Sequence, residues 1–363
     1  MRATAYRTCG VKHEIIFMKW ACAVTVGVVL GFLTSFREDL DVPRKDKLSD
    51  YGFFTGELKK LEPADGVVPY TLNSALFSNY AEKLRFVKLP RGESAVYNDS
   101  VVFDFPIGTV LIKNFYFPND FRRGDGARKI LETRLLVHLE TGWEAWPYVW
   151  NEEQTEAFYD PAGETKSITY TDKSGKKVTT PYVIPNKNQC KGCHIKNQKM
   201  LPLGPSAKQL NGNLMHKAGT KNQLYFWKDT GLLVGLHDVG TAPRLAVWDD
   251  RSTGDLNARA RAYLDVNCGH CHSRRGPANT SGLFLDIDEK NASHLGVYKT
   301  PVAAGRGAGD LQFDIVPGQP QNSILIYRMK TNDPAIAMPE IGREQVHKEG
   351  LALIEEWIRK NSF

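Results

Sequence analysis

Between residues 51 and 185 the hydrophobic positions follow the short-range pattern of β-strands. Segments rich in β-branched and aromatic residues, some alternating with polar ones, are separated by turns that contain Gly or Pro. The pattern predicts strands at residues 100–106, 109–117, 133–139, 146–150, 167–170 and 177–180, with hairpin turns at 140–142 and 173–176. Many short strands at this spacing are typical of a β-sandwich or a small barrel.

The hydrophobic period changes to that of a helix in the last third of the chain. Residues 256–266 bring Leu256, Ala260 and Leu264 onto one helical face, and this helix runs directly towards Cys268. A second apolar stripe predicts an amphipathic C-terminal helix, and its members are Val346, Leu353, Ile354, Trp357 and Ile358. We therefore expect a small helical domain at the C-terminal end.

These patterns predict an α+β protein with two main parts. The first is an N-terminal β-rich, sandwich- or barrel-like domain at residues 51–185. The second is a mostly α-helical domain at residues 251–363. Residues 186–250 lie between them and mix helix with loop.

The first 36 residues have the layout of an export signal. Four basic residues precede an uncharged, mostly apolar run at residues 20–36. No Ala-x-Ala cleavage site follows the run, and its length is at the short end for a membrane-spanning helix. Residues 1–36 are therefore predicted to be either a cleaved signal peptide or an N-terminal membrane anchor. The polar residues 37–50 are expected to be a tether, and the rest of the chain is expected in a Gram-negative-type periplasm.

One pentapeptide pattern, C-x-x-C-H, carries the strongest chemical signal and occurs twice. Cys-Lys-Gly-Cys-His begins at Cys190, and Cys-Gly-His-Cys-His begins at Cys268. Two thiols at this spacing can each add to a haem vinyl group, and the adjacent histidine then binds the iron. The motifs predict two covalently bound c-type haems, attached through Cys190, Cys193, Cys268 and Cys271 and ligated by His194 and His272.

Zinc and disulfides are the alternatives for these cysteines. A zinc ribbon uses two C-x-x-C pairs but does not require a histidine after each one. Here 74 residues separate Cys193 from Cys268. Of the six cysteines in the chain, only Cys9 and Cys22 lie outside the motifs, and both are in the predicted leader. A two-residue spacing favours attachment chemistry over a structural disulfide, so we favour haem.

Positive charge is concentrated around the first motif. Between Lys173 and Lys228 there are eleven lysines and no Asp, Glu or Arg, although the net charge of the whole chain is only +6. A total of this size does not indicate nucleic-acid binding. The stretch from Lys187 to Lys199 is either a solvated face or a docking face for an acidic redox partner, and a funnel for an anionic substrate is a further alternative.

Several short stretches resemble an uncharacterised family of periplasmic di-haem c-type cytochromes of Gram-negative bacteria. They are residues 48–52, 69–74, 103–109, 188–190 with the first motif, 202–205, 267–268 with the second motif, and 315–318. The resemblance covers most of the exported chain. It implies haem binding and electron transfer, and it supplies no substrate.

The C-terminal domain is similar to class I cytochrome c, which has one helix before the haem motif and another that packs across it. In that family a methionine beside a proline, in the loop before the last helix, supplies the sixth iron ligand. The resemblance assigns this role to Met338, which is followed by Pro339. Met329 is the competitor, but it lies in a predicted helix where methionine usually packs in the core.

The sixth ligand of the first haem is left open by the sequence. Met200, Met215 and His216 follow the first motif at different distances, and an iron without a sixth ligand is the fourth alternative. A methionine or histidine ligand favours an electron carrier between an exported redox partner and the respiratory chain. An open iron at His194 favours an enzyme, peroxidase-like or acting on small nitrogen compounds, with the second haem as its electron feed. A ligand-binding or sensory haem module is the third function class.

Overall fold

A computed structural model of the chain describes residues 42–216, 219–302 and 304–360, without the side chain of Asp125. The predicted leader at 1–36, the start of the tether and the cysteines Cys9 and Cys22 lie outside these ranges. Within them, no helix combines the length and apolar character that crossing a membrane requires. The described residues all belong to one structural unit, Asp41–Phe363.

The strands are short except in one central sheet. They are β1 Phe54–Thr55, β2 Glu62–Pro63, β3 Val67–Tyr70, β4 Glu82–Lys88, β5 Ala95–Val96, β6 Val110–Pro118, β7 Arg128–Leu139, β8 Gly142–Trp150, β9 Ala157–Tyr159, β10 Glu164–Thr171, β11 Lys177–Ile184, β12 Ile195–Lys196, β13 Lys199–Met200, β14 Asn213–His216, β15 Gly219–Asn222 and β16 Leu233–Val234. The α-helices are α1 Lys187–His194, α2 Ala207–Leu210, α3 Gln223–Asp229, α4 Leu256–Leu264, α5 Ile324–Lys330 and α6 Lys348–Lys360.

The central sheet has six antiparallel strands in the order β3-β4-β6-β7-β8-β9. One face is covered by the start of the described chain, where Leu48, Phe53 and Leu61 are buried against the sheet. Residues 42–50, which the composition predicts to be a tether, thus include a core residue. The sheet stays open, so it is neither the sandwich nor the barrel expected from strand spacing.

Two different segments cover the other face of the sheet. The β10–β11 hairpin buries Ile168 and Tyr182 against one half of the face. Segment 186–242, which begins with the first motif, buries Leu210 and Trp227 against the other half. The first motif is therefore built onto the central sheet rather than onto a separate helical unit.

The expected α+β class with a mostly α-helical domain at 251–363 is wrong. In the described part of this segment, α-helix is limited to Leu256–Leu264, Ile324–Lys330 and Lys348–Lys360. Each coincides with a predicted helix, but the residues between them form turns and short 3-10 segments. Gly, Pro, Asn and Asp are frequent there, and these residues favour turns over helix. The molecule is consequently dominated by its large sheet, and its helices are few and short.

Strand prediction was better for hairpins than for isolated segments. β6, β7, β8, β10 and β11 cover the strands predicted between residues 109 and 180. The strand predicted at 100–106 is absent, because Val102 and Asp104 form only single bridges, to Ser206 and Val96. β4 was not predicted, although it is an internal strand of the sheet, between β3 and β6.

Candidate functional site

Both C-x-x-C-H motifs border the same cavity, whose volume is about 560 Å³. This volume lies within the range of about 300–1,000 Å³ that is usual for ligand pockets. The sheet contributes Lys113, Arg134 and Leu136 to the lining. α1 contributes the first motif, and the turns after α4 contribute the second.

Local capping explains how each motif reaches the cavity. α1 begins with a capping box in which Asn186 and Gln189 exchange side-chain to backbone hydrogen bonds. α4 begins at the N-cap Asp255, and its last turn widens into a π-type turn at Asp265–Gly269 that carries Cys268. Each motif therefore borders the cavity at the end of a helix whose first residue is fixed by a side-chain cap.

The motifs touch each other inside the cavity. Cys271 Sγ lies 3.7 Å from the carbonyl oxygen of Gly192. A hydrogen bond with the Cys271 thiol lowers the pKa of Cys193, against the opposing effect of burial. Cys190, Cys193, Cys268 and Cys271 are all free thiols. The two motifs, which are distant in sequence, are therefore adjacent in space.

The histidines of the two motifs are both buried enough to be held in the neutral form, and each has a hydrogen-bond partner at Nδ1. Burial lowers the pKa of His194 and of His272 to about 4 each. Nδ1 of His194 lies 2.9 Å from the carbonyl oxygen of Leu201, and Nδ1 of His272 lies 3.4 Å from the Ser281 hydroxyl. A hydrogen bond at Nδ1 fixes the tautomer that leaves Nε2 free to bind a metal.

The two methionines proposed for the second haem both border the cavity. Met338 is half-buried, and its backbone N–H donates to the carbonyl oxygen of Arg328 at 3.1 Å. Met329 lies in α5 and is buried in the C-terminal core, the hydrophobic cluster that includes Leu264 of α4 and Ile354 of α6. Both methionines therefore line the cavity that the second motif also borders, and the choice between them stays open.

The three side chains considered as sixth ligand of the first haem lie elsewhere. Met200 packs against the core beside the sheet, and Met215 is 69% exposed on the β14–β15 hairpin. His216 stacks on Phe226 with ring centres 3.7 Å apart. None of the three is among the residues that line the cavity.

Two cavity histidines were missed by sequence reasoning. His270, inside the second motif, has its Nδ1 3.2 Å from the carbonyl oxygen of Val266. His347 stacks on Phe77 with ring centres 4.1 Å apart, and its Nδ1 is 3.0 Å from the Tyr263 hydroxyl. The position of His347 just before the C-terminal helix was visible in the sequence, but nothing indicated that it faces the second motif.

Cationic side chains on the sheet were missed as well. Arg85, Lys113 and Arg134 are direct neighbours across β4, β6 and β7. In the sequence, Lys83 and Arg85 alternate with Leu84 and Phe86, which is the signal of a strand with one solvent face. That face is in fact covered, and Arg85 is only 8% exposed.

The residue set suits a c-type haem at each motif. Each motif offers two free thiols beside a neutral imidazole with a free Nε2, on a cavity with apolar walls and cations on its floor. Among residues 42–216, 219–302 and 304–360, no three His, Cys, Asp or Glu side chains are grouped so that they could hold a bare metal ion. Comparisons of the chain with protein-family models, curated proteins and solved structures returned no match.

Proposed function

We propose that this protein is an exported, periplasmic di-haem c-type cytochrome that carries electrons between an exported redox partner and the respiratory chain. The main support is that both C-x-x-C-H motifs border one cavity, each with its histidine Nδ1 on a hydrogen-bond acceptor. The motif resemblance to the uncharacterised di-haem family belongs to the same proposal. A haem bound in this way supplies an iron that exchanges single electrons.

The chain's own residues have separate tasks in this proposal. Cys190 and Cys193 would form the thioether bonds of the first haem, and Cys268 and Cys271 those of the second. His194 and His272 would bind iron through Nε2, and Met338 would supply the sixth ligand of the second haem. Because Cys193 and Cys271 are in contact, the two attachment sites adjoin, which favours electron exchange between the two groups.

An enzyme with an open first haem is the second candidate function. The specific observation in its favour is that Met200, Met215 and His216 do not line the cavity. A first iron held by His194 alone would accept a small ligand or substrate. In that case the second haem would serve as its electron feed.

The contacts of the lysines reduce the number that we propose to bind an acidic redox partner. Lys187 is paired with Glu144 at 2.9 Å, and burial lowers the pKa of Lys196. Lys191 and Lys199 are exposed. These two are the residues of the Lys187–Lys199 stretch that we propose to meet the partner.

The haem assignment is tested by removing one cysteine pair at a time from the exported protein. Replacing Cys268 and Cys271 together by Ala should leave one covalent haem, and replacing Cys190 and Cys193 should leave the other. Haem content is measured as the pyridine haemochrome. Retention of two haems in either variant, or zinc in place of haem in the unaltered protein, would refute the assignment.

The choice between carrier and enzyme is tested by the ferric spectrum with and without added cyanide or nitric oxide. Two low-spin haems that do not react with these ligands support the carrier. One high-spin haem that binds them, and that disappears when Cys190 and Cys193 are replaced, supports the enzyme.

A further inference from the structure

A row of cations crosses the sheet on the floor of the cavity. The register pairs Arg85 of β4 with Lys113 of β6, and Lys113 with Arg134 of β7. Neighbouring residues across antiparallel strands point to the same side of a sheet. Lys113 and Arg134 line the cavity directly. Three positive charges therefore lie side by side beneath the first motif.

The carboxylate next to this row of cations, that of Glu132, already has hydrogen-bond partners. Glu132 accepts two hydrogen bonds from Arg134, both at 2.6 Å, and a third from the Tyr182 hydroxyl at 2.7 Å. Arg85 is buried, and its Nε and Nη2 have no hydrogen-bond partner. The Lys113 ammonium lies 4.7 Å from the centre of the Phe115 ring, and in the described part of the chain it has no carboxylate within 4.0 Å.

Such a row is unfavourable unless an anion compensates it. Burying a cation without a partner costs several kcal/mol, because its hydration is lost and nothing replaces it. Burial, together with the charges of Arg85 and Arg134, lowers the pKa of Lys113 well below its usual value. The row thus has the composition of a carboxylate-binding site that is open on the cavity side.

We propose that Lys113 binds a propionate carboxylate of the haem attached at Cys190 and Cys193, with Arg85 as the second cation behind it. This inference rests on the proposed function and specifies how the first haem is held. Lys113 is close enough to His194, and Arg134 to Cys190, for each pair to interact electrostatically. A c-type haem keeps its two propionates after attachment, so it brings anions to this floor.

The test uses the two-haem protein with Lys113→Met and Arg85→Met, each measured by resonance Raman spectroscopy and by spectroelectrochemistry. The propionate-bending band of the first haem should shift in both variants, because a cationic partner is lost. The reduction equilibrium constant of the first haem should fall about tenfold, which is about 59 mV for a one-electron couple. Removing a nearby positive charge disfavours the added electron.

Two further variants control for charge and for packing. Lys88→Met also removes one positive charge from the sheet, and Lys88 is in β4, the strand of Arg85. Lys88, however, lies against Phe53 on the opposite face of the sheet. It should leave the band and the potential unchanged. Lys113→Arg keeps the charge and should retain the unaltered band. The wave of the first haem is identified by its absence after replacement of Cys190 and Cys193.

The outcomes separate this inference from the proposed function. If the protein holds two haems but the band is unchanged in Lys113→Met and Arg85→Met, the propionate site is refuted while the cytochrome stands. If added phosphate shifts the haem spectrum saturably, and only when Lys113 is present, the row binds a free oxyanion and the propionate assignment is overturned. Absence of haem would refute the proposed function itself.

Discussion

At the scale of single residues, the histidines of the two motifs are set apart by their hydrogen bonds. His194 and His272 each have Nδ1 near an acceptor, so Nε2 is free for a metal. The sequence predicts both histidines as iron ligands from the C-x-x-C-H spacing, and that role stays a prediction. It did not identify His347 or Arg85, since their burial comes from segments far away in the chain.

Met338→Ala should remove the weak sulfur-to-iron charge-transfer band that a methionine-ligated ferric haem has at the red end of the visible spectrum. Met338 borders the cavity and lies in the loop before α6. The band is read from the ferric protein at neutral pH. Met215→Ala is the control, because Met215 is 69% exposed and outside the cavity. Loss of the band in Met329→Ala, with Met338→Ala unaffected, would transfer the role to Met329.

The free energy of unfolding should fall in mild acid, because the buried His347 then becomes protonated on unfolding. Burial lowers its pKa to about 4 from 6.5. The unfolded chain therefore binds the proton more readily, and stability that is complete above pH 6.5 is lost as the pH falls towards 4. The loss is at most about 3.5 kcal/mol, at about 1.4 kcal/mol per pKa unit. Guanidinium unfolding followed by circular dichroism at several pH values measures it.

His347→Phe should flatten this pH dependence, because the side chain can no longer be protonated. His237→Phe, at an exposed position, should leave the dependence as it is in the unaltered protein. An equally steep loss of stability in His347→Phe would show that other groups cause it.

At the scale of elements, the C-terminal core depends on a close crossing of α4 and α6. A Cβ atom at Gly350 would lie 2.3 Å from the Tyr263 hydroxyl oxygen, which is buried between these helices. Tyr263 in turn contacts His347 at the cavity wall. The helix crossing therefore also supports the second motif.

Gly350→Ala should destabilise the protein by about 1–3 kcal/mol, because the added methyl group overpacks the crossing. This outweighs the gain of about 0.5–1 kcal/mol that Ala normally brings to a helix. The free energy of unfolding in denaturant measures the effect. Gly126→Ala is the matched control, since no atom lies within 4 Å of its Cβ position. Equal stability of the two variants would contradict the close crossing.

Charge reversal at Lys191 and Lys199 should slow electron exchange with an acidic redox protein. The effect should be large at low ionic strength and should fade near 0.15 M salt, where charges are screened beyond about 8 Å. Stopped-flow reduction by an acidic ferredoxin or flavodoxin measures the rate. Lys173 and Lys176, exposed on the β10–β11 turn, give the same change of charge in a control variant. Equal rates for both variants would remove the docking face.

The elements differ in how far the sequence predicted them. The β7–β8 and β10–β11 hairpins were predicted because strand pattern and turn residues agreed locally. The three C-terminal helices were predicted because their apolar residues recur with the period of a helix. β4 was missed although Lys83 and Arg85 alternate with Leu84 and Phe86 as in a strand with one solvent face. The prediction of a mostly helical domain was wrong. It extended the helical patterns of α4 and α6 over the residues between these helices, which are rich in glycine and form turns.

At the scale of the whole molecule, one sheet and two distant motifs make a single cavity. Long-range pairing decides this arrangement, and no local pattern contains it. Haem attachment at Cys190 and Cys268 is predicted from the motif spacing and stays a prediction, while the contact between Cys193 and Cys271 and the cations below them came only from the fold. The burial of these cations could not be predicted from the sequence. It is also the reason that we propose them as a binding site for a carboxylate.

The central claim is that both motifs carry covalent haem. The most direct measurement is the intact mass of the protein under denaturing conditions, where only covalent groups remain. The account predicts the mass of the polypeptide plus two haems. A mass equal to the polypeptide alone, or to the polypeptide plus one haem, would contradict it.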